Sequence, residues 1–431
     1  MLKILALIIS VILTSCYYFP FDMSSGVNPK LIMACISVVL LGIRLSRNRN
    51  AIIDRDFVVL SIWGIGVSLA SIMATTYNNT LDFSYLTYVV SMWVWMGGAY
   101  ALIRLIEWLN GRISVDLVCD CIIAVCTMQC VIAIIIDKNP LFANLVFSMF
   151  PGLEGSSEYT DGRLYGIGCA FDVAGIRLSC GLVALAFMVY KYLSKSEISI
   201  CRVIWYFFSF AVITILGNMI SRTTMVGCGL FIAYLLIMSL FNTSNKVANK
   251  RLFYSVILCL VVAVPITIYM YNSDSSFRSY FRFGFEGFFS FAEKGKWDVY
   301  SNEILWTMYR FPETLKTWII GDGYMLSANN DPYYIGPFYL GYYKGTDVGY
   351  LRFIYYFGII GLIPCIMQMI KTTQIGMKRL PEYSVLCFML LMVNFICWFK
   401  VSTDTFSVMA IFAVYGMMYS NQTGDLLADK V

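Results

Sequence analysis

Long apolar runs separated by short polar connections fill most of the chain. Twelve of them approach the roughly 20 residues a helix needs to cross a hydrocarbon layer. They cover 3–20, 30–45, 56–74, 85–106, 115–136, 172–191, 203–220, 223–241, 252–271, 349–370, 383–399 and 404–420. Apolar residues in these runs are continuous and do not alternate at every second position, which predicts helices. In lipid every backbone group needs an internal partner, and a helix supplies one within a single segment. The expected fold is all-α: a polytopic integral membrane protein of about 12 spans, with a long loop between spans nine and ten.

Two connections break the rhythm. One covers 137–171. The other covers 272–348 and is too long to be structureless inside a compact domain. Its stretch "SYFRFGFEGFFSF" mixes dense aromatics with a few charges, as suits a segment lying among lipid headgroups. "DVYSNEILWTMYRF" then reads as a short amphipathic helix ending before Pro312. "GDGYMLSANNDPYYIGPFYLGYYKG" follows, rich in Gly, Pro and Tyr. Its size, aromatics and basic residues point to a functional lobe more than to a cover for helix ends.

Composition agrees with this pattern. Of 431 residues, 59% are apolar and 13% charged, about half the charged share of a soluble domain. Charge adds an orientation. With the N-terminus inside, "RLSRNRN", "KYLSKSEISICR", "NKVANKR" and "KTTQIGMKR" fall on the inner side, which then holds 17 of the 31 Lys and Arg. Half of the remaining 14 lie in the 272–348 loop, too long for the positive-inside rule to count. Both termini are therefore expected in the cytoplasm. "MLKILALIISVILTSC" resembles a lipoprotein signal ending at Cys16. With eleven spans following, an uncleaved first helix is the expectation.

The chain has 14 cysteines and no histidine. Nearly all the cysteines lie in apolar runs, where a thiol acts as a small apolar side chain, so no disulfide framework is implied. Without histidine, Ser–His–Asp and Cys–His systems and most zinc or haem sites are excluded. No P-loop or paired-carboxylate metal signature occurs, and "GDGY" at 321–324 lacks a strand–loop–helix context. No cofactor, metal or nucleic acid is expected.

Arg177, Arg222, Arg310 and Arg352 all fall on or near the outer side, three of them at the same membrane face. An arginine in lipid costs at least ~2.5–3.5 kcal/mol, so each needs a cavity, a partner or a route to headgroup phosphates. Asp172 is a candidate partner for Arg177. Several arginines at one membrane face suit a shared anion, because the guanidinium fork donates two parallel hydrogen bonds to phosphate. Tyr333, Tyr334, Phe338, Tyr339, Tyr342 and Tyr343 could stack on sugar faces or form an interfacial belt. Thr346 or Asp347 is an ordinary N-cap for a helix beginning near 348, and Asp347 is also a candidate base.

The order "NEILWTMYR…WIIGDGY…GTDVGYLRFIYYFGIIGLI" resembles the bacterial O-antigen polymerase (Wzy) and O-antigen ligase superfamily. "SRTTMVGCGLF" resembles its "SR" corner, and "GRLYGIGCAFDVAGIRLSCG" the arginine-bearing loop before that corner. The likeness covers about 160–365; the first five spans match in hydropathy alone. It implies a site on the periplasmic face of the inner membrane. There a growing glycan on undecaprenyl pyrophosphate is transferred to the sugar of a second lipid-linked repeat unit. Membrane lipids, a flippase and a chain-length regulator are the implied partners. The ligases typically carry histidine where this chain has Asp347, which favours polymerase over ligase.

Together the residues and the resemblance suggest metal-independent, inverting transfer. Arg177, Arg222 and Arg352 are expected on the pyrophosphate, with Arg163 and Arg310 assisting. Asp347 is the expected base, Asp322 its substitute, and Tyr339, Tyr342 and Tyr343 the sugar contacts. A lipid-linked oligosaccharide flippase is the alternative of another class.

Overall fold

The computed structural model describes residues 2–23, 27–47, 53–150, 163–195, 197–241, 246–339 and 341–428. Residues 151–162 of the 137–171 connection lie outside these, as do Lys430 and parts of three basic connections. Among the described residues the regular structure is helical, apart from one isolated bridge between Gly166 and Cys169. The helices begin α1 (Leu2–Tyr18), α2 (Pro29–Arg47), α3 (Arg55–Asn78), α4 (Tyr88–Asn110), α5 (Val115–Lys138) and α6 (Pro140–Met149). They continue with α7 (Phe171–Leu193), α8 (Ile200–Ile220), α9 (Thr224–Phe241), α10 (Lys246–Ser273), α11 (Ser275–Gly284) and α12 (Glu286–Lys294). The last are α13 (Tyr300–Met308), α14 (Leu315–Ile319), α15 (Gly349–Arg379), α16 (Ser384–Cys397) and α17 (Phe406–Ala428).

Nine of the described helices are long and apolar enough to cross a membrane: α2 to α5, α7 to α10, and α15. The expected spans at 3–20, 383–399 and 404–420 coincide with shorter apolar helices, Lys3–Tyr18, Pro381–Cys397 and Phe406–Tyr419. This is an all-helical chain built as a polytopic membrane protein.

The chain divides into two compact units. The first comprises 1–33 and 102–297, with α7 at its centre, packed by α5, α8 and α9. Small residues let these helices meet: a Cβ on Gly227 of α9 would lie 2.4 Å from Ser179 Cα of α7. The aromatic stretch after α10 folds into α11 and α12. Phe277 is buried there, while Phe288 and Phe291 are exposed.

The second unit comprises 34–101 and 298–431. Here α15 packs along α3 and also touches α14, α16 and α17. At the far end of α15, Arg379 reaches Asp54 and Asp56 at the start of α3, at 3.0 and 2.7 Å. The expected span at 349–370 proves to be neither short nor continuous. It extends to Arg379 and breaks where Phe357 (φ −133°, ψ 16°) and Gly358 (φ 62°, ψ −165°) leave helical geometry. The break leaves a two-turn N-terminal segment carrying Arg352 and a longer helix after it.

Candidate functional site

The break in α15 explains the placement of "GDG". The carbonyls of Tyr355 and Tyr356 accept hydrogen bonds from Asp322 N–H (2.6 Å) and Gly323 N–H (3.0 Å). Both glycines are left-handed, and a Cβ on Gly321 would lie 2.5 Å from Tyr356 O. From the other side, the end of α3 grips the same turn. Asn78 Nδ2 donates to Gly321 O (3.2 Å) and Thr80 Oγ1 to Gly323 O (3.0 Å). Asp82 Oδ2 accepts from Met325 N–H and Leu326 N–H at 2.7 and 2.8 Å. The turn is thus pinned by backbone on one face and by α3 and its following loop on the other.

Asp331 makes a further clamp. It accepts from Tyr324 OH (2.9 Å), Tyr333 N–H (2.9 Å) and Leu81 N–H (3.3 Å). Burial alone would raise its carboxyl, but the Tyr333, Tyr324 and Leu81 donors hold it below the usual carboxylate range. A lowered folded value contributes stability above the unfolded pKa and loses it as pH falls through the folded one. Pepsin cleavage of the 324–339 segment should therefore rise as pH drops below about 4. The rise should be smaller in Asp331→Asn, whose side chain does not titrate; equal pH profiles for the two proteins would count against this clamp.

Beside the pinned turn lies a cavity of about 810 Å³, within the range of ligand pockets. Its wall combines Phe311, Tyr324, Tyr339, Tyr343 and Tyr355 with Arg310, Lys316, Lys344, Glu313 and Asp322. Asp322 Oδ1 accepts from Lys316 Nζ (2.9 Å) and Thr317 Oγ1 (2.8 Å), and Oδ2 from Tyr343 OH (3.2 Å). Burial and the Asp322 carboxylate push the Tyr343 phenol up, so it stays a hydroxyl donor at neutral pH. Arg310 follows α13, which ends at Met308. It donates Nε to Thr307 O (3.3 Å) and Nη1 to Lys344 O (3.1 Å).

The expected site residues fall into three groups. Arg310, Tyr339 and Tyr343 line the cavity, joined by Asp322, the substitute base. Asp347, Arg352 and Tyr342 meet at the start of α15. Arg352 is 7% exposed and donates Nη1 to Ser402 Oγ (2.8 Å) and Nη2 to Met325 O (2.9 Å). Its guanidinium lies 3.5 Å from the Tyr342 ring centroid and 3.5 Å from Asp347 Oδ1. Arg352 therefore ties α15 to two loops. The capping expectation for Asp347 is corrected: the N-cap position is Val348, whose N–H is met by Thr346 Oγ1 (3.3 Å).

The third group lies in the first unit. Arg222 pairs with Glu286 (2.6 Å), and its guanidinium sits 4.1 Å from the Phe283 ring centroid. Arg163 approaches the same ring at 4.8 Å. Arg177 lies 5.9 Å from the Phe19 ring, and its carbonyl accepts from Tyr18 OH (2.8 Å). Asp172, the candidate partner of Arg177, accepts from Ser221 Oγ (3.1 Å) and Thr223 Oγ1 (2.5 Å), which fixes the "SRT" corner to α7.

Sequence reasoning did not single out Lys316, Lys344, Glu313, Tyr324 or Tyr355 as cavity residues. A signal existed for one of them: Lys344 is flanked by Gly341 and Gly345 in a tyrosine-rich turn. Comparison of the chain with protein-family models, curated proteins and solved structures returns no match.

Proposed function

We propose that the protein is a polysaccharide polymerase that transfers a growing glycan from a polyprenyl pyrophosphate to a second lipid-linked repeat unit. The observation that carries this reading is the cavity. Two loop segments quoted for the resemblance, "MYR" and "GDGY", contribute with the neighbouring "YYKG" to one aromatic, hydroxyl-bearing and cationic wall. Aromatic faces suit sugar rings, and a wall bearing a carboxylate and phenol hydroxyls suits an acceptor hydroxyl that must give up its proton.

In the reaction, an acceptor hydroxyl attacks the anomeric carbon of the donor. The new C–O bond forms as the anomeric C–O bond to phosphate breaks, and pyrophosphate leaves with the bonding pair. The hydroxyl proton needs one positioned base. A carboxylate offers about four acceptor directions, and three donors already reach Asp322, which leaves Oδ2 one direction for this proton. Asp322 is therefore assigned the base, and Asp347 the positioning of Arg352. Lys316 and Tyr343 hold the carboxylate in place.

Purified protein supplied with lipid-linked repeat units in detergent should yield a ladder of longer lipid-linked products. A transporter gives no covalent product, and a ligase gives none without its lipid A-core acceptor. Unchanged single repeat units would overturn the proposal.

A further inference from the structure

The charges lining the cavity are not evenly matched. Three cations, Arg310, Lys316 and Lys344, face two carboxylates, Glu313 and Asp322. Lys316 and Asp322 neutralise one another at 2.9 Å. Arg310 Nη1 donates to the backbone carbonyl of Lys344, and both residues line the same cavity. Neither has a carboxylate within ion-pair distance among the described residues. The Lys344 ammonium instead lies 5.7 and 5.5 Å from the Tyr339 and Tyr343 ring centroids. Two like charges lining one cavity repel, and an anion seated between them relieves that repulsion.

The backbone adds a second reason. Lys344 has φ 57°, a left-handed conformation that side-chain-bearing residues rarely adopt and that glycine takes freely. Strain of this kind at a cavity wall points to use of the side chain. The excess is one positive charge, which matches a singly charged group better than a pyrophosphate.

We infer that the cavity selects a glycan bearing a carboxylate, a uronic-acid-type sugar, with its acid seated against Arg310 and Lys344. This rests on the glycan-transfer reading and names the substrate class for it. The rings of Tyr339 and Tyr343 then contact the sugar face while the two cations read the acid. Glu313, exposed and also without an ion pair among the described residues, disfavours a second negative charge nearby.

The test is direct binding to the full-length protein in detergent micelles, with trigalacturonate, maltotriose and inorganic pyrophosphate as probes. Trigalacturonate should bind at least about tenfold more tightly than maltotriose, and the difference should shrink with added salt. Lys344→Gly should remove the preference while keeping or raising the melting temperature, because glycine relaxes the backbone. Arg310→Gln should weaken trigalacturonate in the same direction. Equal affinity for the acidic and neutral trisaccharides would overturn the inference, as would a preference that survives both variants. Pyrophosphate binding without trigalacturonate binding would assign the cations to the leaving group and also overturn it. Binding is read without elongation, so the two ideas fail separately. An acidic preference in a protein that extends nothing removes the polymerase reading. Elongation without the preference removes this inference.

Discussion

Gly358→Ala is expected to unseat the "GDG" turn from the broken helix and to destabilise the second unit by roughly 3 kcal/mol or more. Gly358 sits at φ 62° and ψ −165°, a region open essentially to glycine alone. An added Cβ would stand 2.2 Å from Ile319 O and 2.5 Å from Ile320 N, which are backbone atoms at the end of α14 and cannot swing aside. The variant has one easy escape. Alanine favours a continuous helix, so α15 can straighten, but its carbonyls at 355 and 356 then turn back into the helix. Asp322 N–H and Gly323 N–H lose their acceptors, and the cavity loses its floor. Limited proteolysis of the 298–345 segment in native micelles reads this directly. Wild-type resistance in Gly358→Ala would show that the break does not hold the lobe.

Asp322→Asn should slow elongation by about 10²–10⁴-fold, the usual contribution of a positioned base. The substitution keeps the side-chain volume, but an amide can accept through only one atom. It therefore cannot meet Lys316, Thr317 and Tyr343 as the carboxylate does, and it cannot take a proton from a sugar hydroxyl. Asp347→Asn should cost about tenfold, the scale of one charge-assisted contact. Arg352 would still hold Ser402, the Met325 carbonyl and the Tyr342 ring. Rates of lipid-linked product formation, compared at matched protein and checked against thermal stability, separate the two. The opposite ranking would return the base to Asp347 and leave Asp322 as the anchor of Lys316.

The sequence by itself determined the all-helical membrane build, because apolar length is a local property that any 20-residue window reveals. It placed the large lobe before α15 and drew attention to the arginines, since a charge near lipid stands out in one dimension. It also marked both acids, Asp322 and Asp347, but assigned their weights by position along the chain.

Tertiary structure decided the rest, because each remaining feature depends on partners distant in sequence. Thr80 and Gly323 are 243 residues apart, and Tyr356 reaches Asp82 across 274. Nothing in "YYFGIIG" announces a helix break: one glycine in an apolar run is tolerated in a helix, and only the opposing "GDG" backbone makes the break favourable. Cavity membership followed the same logic. Asp322 was brought beside Lys316, Tyr343 and the tyrosine wall, while Asp347 was turned toward a buried Arg352. The left-handed backbone of Lys344, which sets its ammonium beside Tyr339 and Tyr343, is a conformational fact that no spacing of residues encodes.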